Sequence, residues 1–114
     1  MGNDCVFCQI AAGEQPANLV YESDTVLAFH DIHPQAPTHI LIIPRKHIAR
    51  MADLTPGDAA IMGDVMVAAR IIADQLGVQD AFRLVVNNGA PAGQSVFHIH
   101  VHLLAGRRFV WPPG

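Results

Sequence analysis

Hydrophobic and polar positions follow two different rhythms along this chain. Short stretches with strand-like patterning are "NLVYES", "TVLAFHDI", "THILIIP", "AFRLVVN" and "SVFHIHVHLLAG", each rich in β-branched or aromatic residues. Ser23-Asp24 separates the first two and suits a tight hairpin turn, and Pro44 ends the third. One longer stretch has helical spacing. Ile61, Met62, Val65, Met66, Ala69, Ile72, Ala73 and Leu76 recur three and four residues apart. Thr55 suits the cap, Pro56 the first helical position, Asp58 lies three residues after the cap, and Gly77 suits the stop. The pattern predicts one long helix over about 56–76 and five strands in an antiparallel sheet, an α+β domain spanning 1–114. "NGAPAGQ" reads as a loop opened by Asn88-Gly89, and residues 107–114 as an extended tail.

The last strand carries unusual chemistry. His98, His100 and His102 stand at alternate positions, so a strand turns all three to one face. Phe97, Ile99, Val101 and Leu103 take the other face, which suits packing under the helix. A strand merely facing water is more simply built from Thr, Lys or Glu. A shared metal for all three is disfavoured, because the outer pair lie roughly 13 Å apart along an extended strand and ligand nitrogens sit about 2 Å from the ion. Two of the three can still share one. Phosphorus chemistry uses the strand and its loop together. A neutral imidazole is a good nucleophile, and a neighbouring one supports phosphoryl oxygens. Gly93, Gln94 and Ser95 just ahead offer backbone N–H groups and a hydroxyl.

Composition narrows the partners. The 114 residues are about half apolar and carry a formal charge of −3, enough for a core without staples but a poor match for nucleic acid. A single small phosphate remains within reach of backbone donors. No apolar run reaches the roughly 18 residues of a membrane helix. The first residues lack the basic-then-apolar order of a signal peptide, so the expected location is the cytoplasm.

These residues, taken together, resemble a known family. "HIHVHLL" fits the signature His-φ-His-φ-His-φ-φ, with φ apolar, and "FHDIHPQAPTHILIIPRKHI", "RLVVNNG", "GQSVFHIHVHLLAGR" and "WPPG" follow the same family in order. The chain resembles the histidine-triad superfamily, in its Hint branch, from about Cys8 to Gly114. The resemblance implies a homodimeric hydrolase that cleaves the P–N bond of purine nucleoside phosphoramidates through a nucleotidyl-histidine and needs no organic cofactor. It makes His100 the nucleophile, His102 a phosphate contact, His39 a histidine beside the triad, and Ser95 a group near the leaving amine. It matches Asn87, Gly93 and Gln94 to the phosphate and ribose sites, Asp31 to the ribose hydroxyls and Ile32 to the base. The two sheets of the family dimer join edge to edge, with helix and tail at the interface and Trp111 near the partner's site. Two alternatives stand beside this reading: a non-catalytic nucleotide-binding module, and a dinucleoside polyphosphate hydrolase of the Fhit branch.

Cys5 and Cys8 are the chain's only cysteines. A cytoplasmic disulfide is disfavoured, and a thioredoxin-like motif expects a preceding strand that is absent from the pattern. Half of a zinc site needs two further ligands, which the other histidines can supply. The resemblance names them: some bacterial-type members hold a structural zinc on positions that here are Cys5, Cys8, His47 and His98.

Overall fold

The computed structural model of the chain describes residues 4–114. A short helix α1 (Val6–Ala11) leads into a hairpin of β1 (Leu19–Glu22) and β2 (Val26–His30), followed by β3 (Thr38–Pro44). The long helix α2 (Ala59–Gln75) comes next, then β4 (Phe82–Val85) and β5 (Val101–Ala105). The sheet is antiparallel throughout, in the order β1-β2-β3-β5-β4. The expected α+β architecture is present, with five strands and one long helix. Among the described residues no helix is long and apolar enough to cross a membrane.

The start of α2 follows the sequence closely. Thr55 donates to the Asp58 carboxylate through both its N–H and its hydroxyl, and Lys46 Nζ donates to the same carboxylate at 2.6 Å. Pro56–Asp58 form a tight 3-10 turn before the α-helix proper begins at Ala59. Gly77 takes φ +72 at the other end, a conformation open to glycine. Two helical assignments are corrected: Met66 and Leu76 are exposed, Leu76 standing at the C-cap, and Ala68 takes the core position beside Val65, Ala69, Ile72 and Ala73. Small residues let the helix lie close to the sheet, over Val26, Ala28, Ile40, Ile42, Val101, Leu103 and Ala105.

The opposite face of the sheet is also covered. Leu27, Phe29, Leu41 and Ile43 form a second cluster around Phe7 of α1. This helix was not expected from the sequence, because six residues are too few to show a period. Both faces of β3 are therefore buried, which explains its unbroken apolar run.

The fifth strand is shorter than expected. Its register pairs Ile42 with Val101, so the next bonding position would set Pro44 against Ile99. Asp31 N–H donates to His39 O and Arg45 N–H to Thr25 O, which turns the odd residues of β3 toward β2 and Pro44 toward β5. Pro44 has no N–H to give, and the ladder stops there. Ile99 N–H bonds Ile48 O at 2.6 Å instead, while the Pro44 carbonyl accepts from the His98 ring at 2.8 Å. Residues 95–100 are thus irregular backbone, and Phe97 is exposed rather than core.

Candidate active site and metal-ligand cluster

The three histidines occupy two different environments. The His98 ring is fully buried, with Nε2–H donating to Pro44 O. That bond leaves Nδ1 without a proton, and Nδ1 faces sulfur. It lies 3.4 Å from Cys5 Sγ, 3.4 Å from Cys8 Sγ and 3.3 Å from His47 Nδ1, while Cys8 Sγ lies 3.3 Å from His47 Nδ1. With zinc–sulfur bonds of about 2.3 Å and zinc–nitrogen bonds of about 2.0–2.1 Å, a tetrahedron has S···N edges of about 3.5 Å and N···N edges of about 3.3 Å. The four donors sit near the corners of such a tetrahedron, and the carbonyl behind His98 is the outer partner that metal-bound histidines usually have. Cys5, Cys8, His47 and His98 therefore fit a closed four-coordinate site.

His100 belongs to a separate cavity of about 590 Å³, within the usual range for small-molecule sites. Its Nδ1–H donates to His98 O at 2.8 Å. A carbonyl only accepts, so the proton is on Nδ1 and the lone pair of the neutral ring is on Nε2. Burial holds this imidazole below the usual histidine range, despite the opposing pull of the His98 carbonyl and Asp31. His102 lies beside it, with ring centroids 4.9 Å apart. Burial, then the neighbouring His100 and His39, push His102 down to about 4. Both rings are neutral near pH 7.

Behind them runs a short relay. Gln35 N–H donates to His39 Nδ1 at 3.0 Å, which puts the His39 proton on Nε2. That atom lies 2.9 Å from His102 Nδ1 and 3.3 Å from Asp31 Oδ2. His102 Nδ1 accepts, so its own proton sits on Nε2. His39 is buried, and burial lowers its pKa although Asp31 pulls it up. The other oxygen of Asp31 accepts from His33 N–H at 2.8 Å.

Asp31, Ile32, Ser95, His100 and His102 all line the cavity, and Ile32 is 86 % exposed there. Asn87, Gly93 and Gln94 are not among its lining residues. Gly93 has φ +103, with the Asn87 side chain packed against it. The Gln94 side chain is buried and fully engaged within the protein: Nε2 donates to Ala49 O and Val96 O, and Oε1 accepts from Gly89 N–H. It fastens the loop from inside. The sequence reading missed the cavity's third wall, Val6, Phe7 and Ile10 of α1. Their apolar spacing was the available signal, too short to act on.

Residues 12–109 match the HIT domain family, and the chain belongs to that family. It is 47% identical over 111 residues to the 14 kDa zinc-binding protein of Zea mays, covering 96% of this chain and 87% of that one. The HIT family hydrolase of Legionella pneumophila superposes with a TM-score of 0.95 at 48% identity, over 97% of this chain and all of that one. A histidine triad nucleotide-binding protein from Candida albicans superposes with a TM-score of 0.82 at 30% identity, over 96% and 83%. The family and these neighbours support a hydrolase in general terms. The cysteine-bearing α1 lies ahead of the family-matched residues.

Proposed function

We propose that the chain is a Hint-branch hydrolase of purine nucleoside 5′-phosphoramidates. The observation that carries this reading is His100: a buried neutral imidazole on the cavity wall, with its outer proton held by the His98 carbonyl. Nε2 then attacks the α-phosphorus, the P–N bond breaks, and a nucleotidyl-histidine forms. The amine leaves with a proton, for which Ser95 is the nearby hydroxyl. Water next attacks phosphorus, the N–P bond breaks, and the nucleoside monophosphate is released. His102, its Nδ1 occupied by His39, offers Nε2–H to a phosphoryl oxygen. Asp31 serves the ribose hydroxyls and Ile32 the base; Asn87, Gly93 and Gln94 act from the loop, the last through backbone and shape. The neighbouring nucleotide-binding protein favours the same ligand class.

In this reading Cys5, Cys8, His47 and His98 hold one zinc, consistent with their donor set and with the zinc-binding relative. When bound, zinc supplies cross-linking charge rather than a reactive water, because four protein ligands close its shell. The cytoplasmic protein acts as a homodimer through the free edge of β4, near the exposed Val110 and Trp111.

The test is a His100→Ala variant assayed with adenosine 5′-phosphoramidate. Turnover should fall by at least about 10³-fold while AMP still binds; unchanged turnover refutes the mechanism. Comparison with a dinucleoside polyphosphate separates P–N from P–O–P specificity.

A further inference from the structure

The metal-ligand cluster and the cavity share one element, α1. Cys5 is its N-cap, accepting from Cys8 N–H, and Cys8 lies in its first turn. Val6 and Phe7 between them, and Ile10 one turn after Phe7, line the cavity. Phe7 is the buried residue of the helix. Its ring stands edge-on to His100 at 5.1 Å and 85°, to His98 at 6.0 Å and to Phe29 at 5.3 Å. A six-residue helix does not hold its shape alone in water, so its position depends on what fastens it. At the far end Arg45 donates to Ala11 O at 3.0 Å. At the near end the fastening is the four-donor cluster, whose other ligands come from β3's exit and from the residue two before His100.

We propose that the cluster acts on the cavity through α1: a metal bound by Cys5, Cys8, His47 and His98 clamps Phe7 and Ile10 in place as one wall of the nucleotide site, and metal loss opens that wall. The inference rests on the zinc and nucleotide readings above. Phe7 is a positioning residue. It bounds the cavity and braces the His100 ring, while the His98 carbonyl independently fixes that ring's proton. Metal loss therefore weakens nucleotide binding more than it alters the nucleophile. The coupling is directional in chemistry as well: a thiol reagent or chelator acting at the cysteines changes affinity at a site that contains no cysteine.

The experiment compares zinc-loaded protein, protein stripped with a chelator, the Cys5→Ser/Cys8→Ser variant and a Phe7→Leu variant. Zinc content, AMP affinity by calorimetry and hydrogen exchange of the Cys8, Gln9 and Ala12 amides are measured on each. Gln9 and Ala12 bond Cys5 O and Cys8 O, and so report on the helix. Stripping should speed their exchange and raise the AMP Kd, each by at least about tenfold, and added zinc should restore both in wild type but not in the Cys5→Ser/Cys8→Ser variant. Phe7→Leu should keep zinc and helix protection yet raise Kd by roughly fivefold, with KM rising more than kcat falls. Equal AMP affinity with and without zinc overturns the coupling while leaving the hydrolase reading intact, as does Phe7→Leu with unchanged Kd. Zinc-loaded protein that binds no AMP overturns the nucleotide reading instead, and the exchange data still show whether α1 follows the metal.

Discussion

The neutral state of His102 has a cost that appears on acidification. An unfolded histidine titrates near 6.5, whereas burial and the adjacent His100 and His39 push His102 down to about 4. Between those values the unfolded chain takes up a proton that the folded chain refuses. Stability therefore falls as pH drops from 6.5 toward 4, and this contribution vanishes above 6.5. At about 1.4 kcal/mol per unit the full difference is about 3.4 kcal/mol, which partial exposure of the ring reduces to about 2 kcal/mol. Burial also lowers His39, His98 and His100, which adds in the same direction, so the wild-type curve alone does not isolate His102. The comparison is wild type against His102→Gln, by urea denaturation at steps from pH 4 to 8. The variant should lose about 2 kcal/mol less than wild type over that interval. Parallel curves, or a ring titrating near 6.5 by NMR in the folded protein, refute the argument.

Other consequences are equally open to measurement. Gln94→Ala leaves two carbonyls and one N–H without their partners, and should cost about 2–4 kcal/mol in denaturant unfolding, with faster amide exchange around Gly89. Gly106→Ala places a Cβ 2.8 Å from Pro37 Cβ at φ +92; a loss of about 2–3 kcal/mol is expected, visible as a lower melting temperature. Ile72→Ala opens a void under the sheet at a fully buried position and should cost about 3–4 kcal/mol. His47→Asn removes the exposed ligand of the cluster, and zinc content should fall well below one per chain in metal analysis of the purified variant.

Much of the fold was legible in residue order. Thr55, Pro56, Asp58 and Gly77 bracket a helix because capping depends on near neighbours, the β-branched run in "THILIIP" marks a strand buried on both faces, and the alternation in "HVHL" marks one because a strand's side chains have a period of two. What failed has two causes: α1 is too short to show a period, and which way α2 is rotated against the sheet is set by packing, which turns Ala68 inward and leaves the hydrophobic Met66, on nearly the opposite face, exposed.

The site divides along the same line. Residue spacing alone determined that three imidazoles lie close together near the chain's last strand, and that a single partner for all three is geometrically strained; the strand itself begins at Val101, so only His102 lies on it while His98 and His100 precede it. Only the tertiary structure decided which histidine does what. Pro44 ends the ladder, and its carbonyl takes the His98 proton, so His98 turns Nδ1 to the cysteines. The His98 carbonyl takes the His100 proton, which leaves Nε2 on the cavity side. His39, distant in sequence by 63 residues, occupies His102. Each tautomer is set by a hydrogen-bond partner, the carbonyls of Pro44 and His98 for His98 and His100 and the donating His39 ring for His102, and the linear pattern records neither the backbone path nor the long-range pairing that puts those partners in place.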